Sequence, residues 1–281
     1  MRKATLFVFL SSVFFALGGL FFKLISWDAL AISSARSILA GLMIFIFLRI
    51  KKHRFVVNRC VIITALAISI TNTLYAMANK LTTAGNTIVL QFSMPVFVIL
   101  IMLLFFHKKP TKLELVTCLL VLAGIVCFFV DSLTAGNLMG NLLALISGMT
   151  YAVFFVFNSR EESEPFTAIV LSYALTALIG LPSMLQTDIG ASSGGTLLAV
   201  LALGLVQQGV AQICFALGIK HVSPVTAGLI SGVEPILNPV LVAVFYHELL
   251  TPLSLVGAAV VLLSILAYNY LTSKREIKSK A

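Results

Sequence analysis

Charge is scarce in this chain of 281 residues: Asp, Glu, Lys and Arg make up 10% of it against 60% hydrophobic residues, and the mean hydropathy is +1.09. Such a chain cannot cover itself with polar surface, which excludes a soluble domain and leaves a polytopic membrane protein. Cysteine is equally thin. Cys60, Cys118, Cys127 and Cys214 fall in or beside apolar runs with no CxxC spacing, and the four histidines do not cluster, so neither a disulfide framework nor a metal site is expected. There is no Gly-rich Lys-Ser/Thr phosphate loop to handle ATP. An intramembrane enzyme would need a nucleophile with a base, paired acids or metal ligands at one depth. One firm acid and no histidine lie at that depth, so no enzyme and no cofactor are expected. The single tryptophan, Trp27, and Tyr270 sit near the ends of apolar runs, where interface anchors belong.

Long apolar runs are abundant. At about 20 residues per crossing, ten are found: Ala4 to Phe22, Ala29 to Leu48, Cys60 to Asn79, Gly85 to Phe106, Leu113 to Asp131, Leu138 to Phe157, Phe166 to Leu185, Thr196 to Leu217, Val222 to Tyr246 and Pro252 to Leu271. The first follows Met1-Arg-Lys like a signal peptide, but it has the length of a full span and a poor cleavage site at Ala16-Leu17-Gly18, so it reads as a retained helix. Ten spans put both termini on one side. Of the 19 Lys and Arg, 16 fall in loops on that side, Lys23 and Lys80 lie on the other, and Arg36 lies within a span. The positive-inside rule then places both ends in the cytoplasm. The net charge of +9 is spread over these loops, as topology signals are, and no nucleic-acid partner is expected.

A shift of 140 residues without gaps aligns Ala76 with Ala216, Lys80 with Lys220, Pro95 with Pro235, His107 with His247, Thr111 with Thr251 and Val116 with Val256. This internal repeat predicts an all-α fold of ten transmembrane helices as a 5+5 inverted repeat, residues 1–135 and 136–281, joined in one transport domain. Each half has an odd number of spans, so the second copy enters upside down. Two opposed copies around one central site are suited to alternating access.

The stretch Leu229 to Glu248 organises the rest, because an apolar span there carries Glu234 before Pro235, with Asn238 and Pro239 beyond. Proline removes a backbone donor and is expected to kink the helix, freeing the carbonyl four residues back. Ser231, Glu234 and Asn238 share one helical face. Polar, broken backbone at membrane depth belongs beside protein or a water-filled cavity, and an intramembrane carboxylate is commonly kept for ions, protons or cationic ligands. Its plain alternative is a carboxyl that only fixes a kink. Gln91 occupies the position of Ser231 in the first copy. Asn72, Tyr75 and Asn79 form a face of the third span, and Gln208 and Gln212 one of the eighth, read either as solute contacts or as interhelical hydrogen bonds. Arg36 is open to three readings: holding a substrate carboxylate or phosphate, pairing with Glu234, or snorkelling and anchoring carbonyls. Tyr151 lies with Phe154 and Phe155, and Phe14 and Phe15 fall in the equivalent first span; an aromatic wall competes here with simple membrane filling.

On these residues the sequence resembles the EamA-type branch of the drug/metabolite transporter superfamily over essentially its whole length. The likeness rests on the duplicated five-span unit, on Arg36, on the paired segments Ile88 to Pro95 and Gly228 to Pro235, and on Tyr246-His-Glu248. Met94 stands where the second copy has Glu234, so carboxylate chemistry is one-sided. The resemblance implies spans 1, 3, 4, 6, 8 and 9 around a central cavity. It also implies a secondary carrier of the cell (cytoplasmic or inner) membrane that exports a small organic metabolite, amino-acid-like or amphipathic, with a proton or sodium as coupling ion, working as a monomer or homodimer. Uptake of a cationic or aromatic nutrient is the alternative; a lipid flippase or an intramembrane enzyme represents other classes.

Overall fold

The computed structural model describes residues 2–107, 109–135, 137–158, 160, 162–219, 230, 233–247 and 250–280. Helices account for every regular element; no strand occurs among the described residues. The first crossing is built from α1 (Arg2–Ala16) and α2 (Gly18–Leu24), followed by α3 (Ala29–Ile50) and α4 (Arg59–Leu81). The fourth is divided into α5 (Ala84–Gln91) and α6 (Met94–Phe106), and α7 (Lys112–Ala135), α8 (Leu138–Asn158) and α9 (Pro165–Gln186) are continuous. Then come α10 (Gly194–Leu201), a π-helical segment (Ala202–Val210), α11 (Ala211–Ile219), α12 (Glu234–Tyr246) and α13 (Pro252–Lys280). Seven stretches are long and apolar enough to cross a bilayer, while the apolar helices Glu234–Tyr246 and Pro252–Tyr268 are shorter. The chain is therefore a multi-pass, all-helical membrane protein.

Side-chain caps explain where several helices start, since the first N–H groups of a helix have no partner inside it. Asp28 accepts from Leu30 N at 2.9 Å, Asn58 from Val61 N at 2.8 Å, Thr83 from Asn86 N at 3.0 Å and Ser193 from Thr196 N at 3.2 Å.

The expected proline kinks take another form. The fourth span does not bend at Pro95: it stops at Gln91 and restarts at Met94, with Pro95 in the first turn of α6. Likewise α12 begins at Glu234 with Pro235 in its first turn. Proline lacks an N–H that the first turn would leave unpaired anyway, so it starts a half-helix more cheaply than it bends a whole one. Pro239 does lie inside α12. Both half-helices have 13 residues and end on a left-handed histidine, His107 at φ 52° and His247 at φ 54°.

The helices pack in pairs: α4 along α8, α3 along α9, α7 along α13, and α1 along α11. The α3–α4 and α8–α9 connections meet at one end, where Asn58 Nδ2 donates to the Glu162 carbonyl at 2.7 Å and Arg160 lies over the Phe106 ring at 5.4 Å. At the other end Trp27 Nε1 donates to Ser192 Oγ at 2.8 Å, Lys80 Nζ to the Ile25 carbonyl at 2.6 Å, and Thr82 Oγ1 to Asn141 Oδ1 at 2.8 Å. The basic α3–α4 connection and Arg160 of the α8–α9 connection thus lie at one end of the bundle.

Candidate functional site

Arg36 sits two turns into α3 and is only 2% exposed. Its guanidinium lies over the Phe22 ring at 5.2 Å, and Nε and Nη2 are buried with no hydrogen-bond partner. Snorkelling and carbonyl anchoring are therefore not what it does, and the pairing with Glu234 considered from sequence is absent. Two tyrosines, Tyr75 of α4 and Tyr173 of α9, interact electrostatically with it. Tyr75 is 7% exposed and meets Phe22 edge to face at 6.0 Å. Its hydroxyl is flanked by the amides of Asn79 and Asn238 and lies within electrostatic reach of both Glu234 and Arg36. Tyr173, 2% exposed, accepts a hydrogen bond from Gln208 Nε2 at 2.7 Å.

Glu234 is half-buried at the first position of α12, with its carboxylate hydrogen-bonded to none of the described residues. The N-terminal end of a helix favours negative charge, which suits a carboxylate at the break. Tyr151 of α8 is within electrostatic reach of Glu234 and of Tyr173. It stacks on Phe154 at 5.7 Å and meets Phe155 edge to face at 5.0 Å, so the aromatic group expected in the sixth span is assembled. Asn238, one turn after Glu234, is fully buried with neither amide atom in a well-formed hydrogen bond. It stands against Gly19 of α2, where a Cβ would come within 2.6 Å of Oδ1; only glycine lets the two elements approach so closely.

The structure brings together Arg36, Tyr75, Glu234, Asn238, Gln208 and Tyr151. Gln91, the last residue of α5, is attached to α8 instead, donating from Nε2 to Ser147 Oγ at 3.3 Å. Asn72 is half-buried on α4 with an unpartnered Nδ2. Gln212 is half-buried on α11, and no described interaction ties it to the tyrosines. Ser231 lies outside the described residues. Two contributors were not expected. One is Tyr173, which sequence gives no reason to separate from other membrane tyrosines. The other is Gln207, 5% exposed beside Gln208 in the π-helical segment, whose Nε2 donates at 3.2 Å to the Phe15 carbonyl at the α1–α2 break. Segments of π-helix are frequent at functional sites, and here one turns adjacent glutamines toward different partners.

Toward the basic end, a cavity of about 390 Å³ extends from Met94 past Met102 and Phe155 to Lys109 and Glu114. Glu114 accepts from the Tyr268 hydroxyl at 3.2 Å there.

A profile of the EamA-like transporter family matches twice along the sequence, at residues 2–130 and again at 138–270. The chain belongs to the EamA-like transporter family. Among its relatives is an uncharacterized transporter of Archaeoglobus fulgidus, 25% identical over 195 residues, which cover 68% of this chain and 69% of the relative. The uncharacterized transporter YwfM of Bacillus subtilis is 26% identical over 178 residues, 62% of this chain and 60% of that protein. A solved crystal structure shares the fold with a TM-score of 0.69 at 18% identity, covering 96% of this chain and 98% of that one. EamA-like membership makes this a multi-pass membrane protein that transports small molecules, and a small-molecule substrate and the lipid bilayer are its partners.

Proposed function

We propose that this transporter is a secondary carrier that moves a small polar organic metabolite, exporting it by alternating access between two inverted five-helix halves. The observation that carries the reading is the set of polar groups left unsatisfied inside the spans. Arg36 and Asn238 have buried side-chain atoms without partners, as does Asn72 elsewhere on α4, and the hydroxyl of Tyr75 lies within reach of Arg36, Asn238 and Glu234. A buried polar group without a partner is costly, and a solute that supplied those partners would be held by that cost. The family profile that matches twice supports the duplication, as do the equal half-helices α6 and α12. The stack of Tyr151, Phe154 and Phe155 is the one feature that favours the alternative of a ring-bearing or cationic nutrient.

Glu234 is the proposed proton carrier. Efflux of a mixed metabolite library from proteoliposomes, measured with and without a pH gradient, tests this. Wild-type flux rises with an inwardly directed gradient, and Glu234→Gln leaves exchange at equal pH but removes the gradient response. A variant that still responds in full would sink the coupling role. Flux that requires ATP would remove the carrier reading itself.

A further inference from the structure

We infer that Arg36 is a clamp for the carboxylate of the transported solute, completed by the hydroxyls of Tyr75 and Tyr173 and covered by the ring of Phe22. The inference rests on the carrier reading and narrows its substrate to organic monoanions. Arginine stays protonated in proteins, so a full positive charge is buried at 2% exposure, and no carboxylate among the described residues pairs with it. A buried charge without a counter-charge is unfavourable unless something compensates it. The Phe22 ring, 5.2 Å away, gives only partial relief through its π face.

The positions of the orphan donors say what is missing. Nε and Nη2 form one edge of the guanidinium, and their N–H bonds point the same way. That edge takes the two oxygens of a carboxylate in parallel. The titratable groups that act on the guanidinium are two tyrosines, which can donate to the remaining lone pairs of a bound carboxylate and add no second positive charge. A monoanion balances this site, whereas a dianion such as phosphate would leave charge in excess.

The cover and the clamp lie on different helices. Phe22 belongs to α2, seven residues set off from α1 by the break at Leu17 and beginning with Gly18 and Gly19. With α2 in place the guanidinium is covered by the Phe22 ring.

Thermal unfolding of the detergent-solubilised full-length chain tests the clamp against small monocarboxylates, each matched with its carboxamide, and against chloride and phosphate at equal ionic strength. At least one carboxylate raises Tm saturably while its carboxamide does not. Arg36→Lys weakens the apparent Kd about tenfold or more, because a point charge replaces a two-pronged donor, and Arg36→Gln abolishes the response. Without solute, Arg36→Gln keeps or raises Tm, since the charge it removes was unbalanced; a large fall would mark a purely structural arginine and overturn the inference. So would equal stabilisation by carboxamides, chloride or phosphate, or a carboxylate panel with no effect. Counterflow in proteoliposomes separates this failure from that of the carrier reading. Neutral solutes exchanged undiminished by Arg36→Gln leave the carrier and remove the clamp, whereas exchange of no solute at all removes both.

Discussion

Tyr173 joins parts of the site that lie far apart in sequence: its hydroxyl receives the Gln208 amide, and its ring neighbourhood includes Arg36 and Tyr151. Replacing it with Phe leaves the buried Gln208 donor without this partner. An interhelical hydrogen bond in a membrane contributes about 0.6 to 2 kcal/mol, so Tyr173→Phe lowers Tm by a few degrees and weakens the apparent affinity for solute. Unfolding and counterflow measured on one preparation check both, and an unchanged affinity would place Tyr173 outside the site. Most other members were legible for one reason: Arg36, Glu234, Asn238 and Gln208 are polar residues in apolar runs, and such residues are kept at a cost. Tyr173 was not, because a tyrosine in a span reads equally as filler. Only the packing of α3 along α9 turns it toward Arg36. Gln91 shows the converse error, a polar residue expected in the cavity that instead ties α5 to Ser147.

At the scale of the element, apolar runs reveal where helices lie but not where they are interrupted. The α5–α6 break was signalled by Pro95, although in the form of a restart. The π-helical segment was not signalled, because ALGLVQQGV contains no breaker beyond its glycines. Gly204 packs so tightly on α3 that a Cβ would come within 2.6 Å of Leu39 Cβ, a constraint visible only once α3 is beside it. Helix starts were more legible, and one carries a pH dependence. Glu164 caps α9, accepting from Thr167 N at 2.6 Å, and lies 3.2 Å from His53 Nε2. Burial alone would push its carboxyl up, but the hydrogen bonds from Thr167 and the His53 contact outweigh it and hold the carboxyl below the usual carboxylate range. A depressed carboxylate stabilises the folded state above its unfolded pKa, and that stability is lost as pH falls through the lower folded value. The Tm of the solubilised protein should therefore drop as pH falls below about 4.5, and Glu164→Gln should lower Tm at neutral pH and flatten that drop. Parallel acid profiles for variant and wild type would overturn the assignment.

Across the whole molecule, exchange of the two proposed halves maps the helix pairs onto one another: α4 with α8 becomes α11 with α1, and the packing of α3 on α9 and of α7 on α13 maps onto itself. A bundle assembled from unrelated helices has no reason to show this correspondence. The proposed repeat was legible because identities at a fixed spacing survive in sequence; the hydrogen bonds that close one end, Thr82 to Asn141 and Lys80 to the Ile25 carbonyl, join residues far apart in the chain and show only in the fold. The same symmetry fixes a test of topology. Spans that each cross the bilayer once put successive loops on alternate sides, so in the proposed ten-span topology Lys109 and Ser192 beside Trp27 face opposite compartments. With the four native cysteines replaced, Ser192→Cys should react with a membrane-impermeant maleimide in intact cells, and Lys109→Cys only after permeabilisation, as an excess of cytoplasmic Lys and Arg requires. Labelling of both from outside would break the alternation, and with it the proposed opposed halves and the alternating access proposed on them.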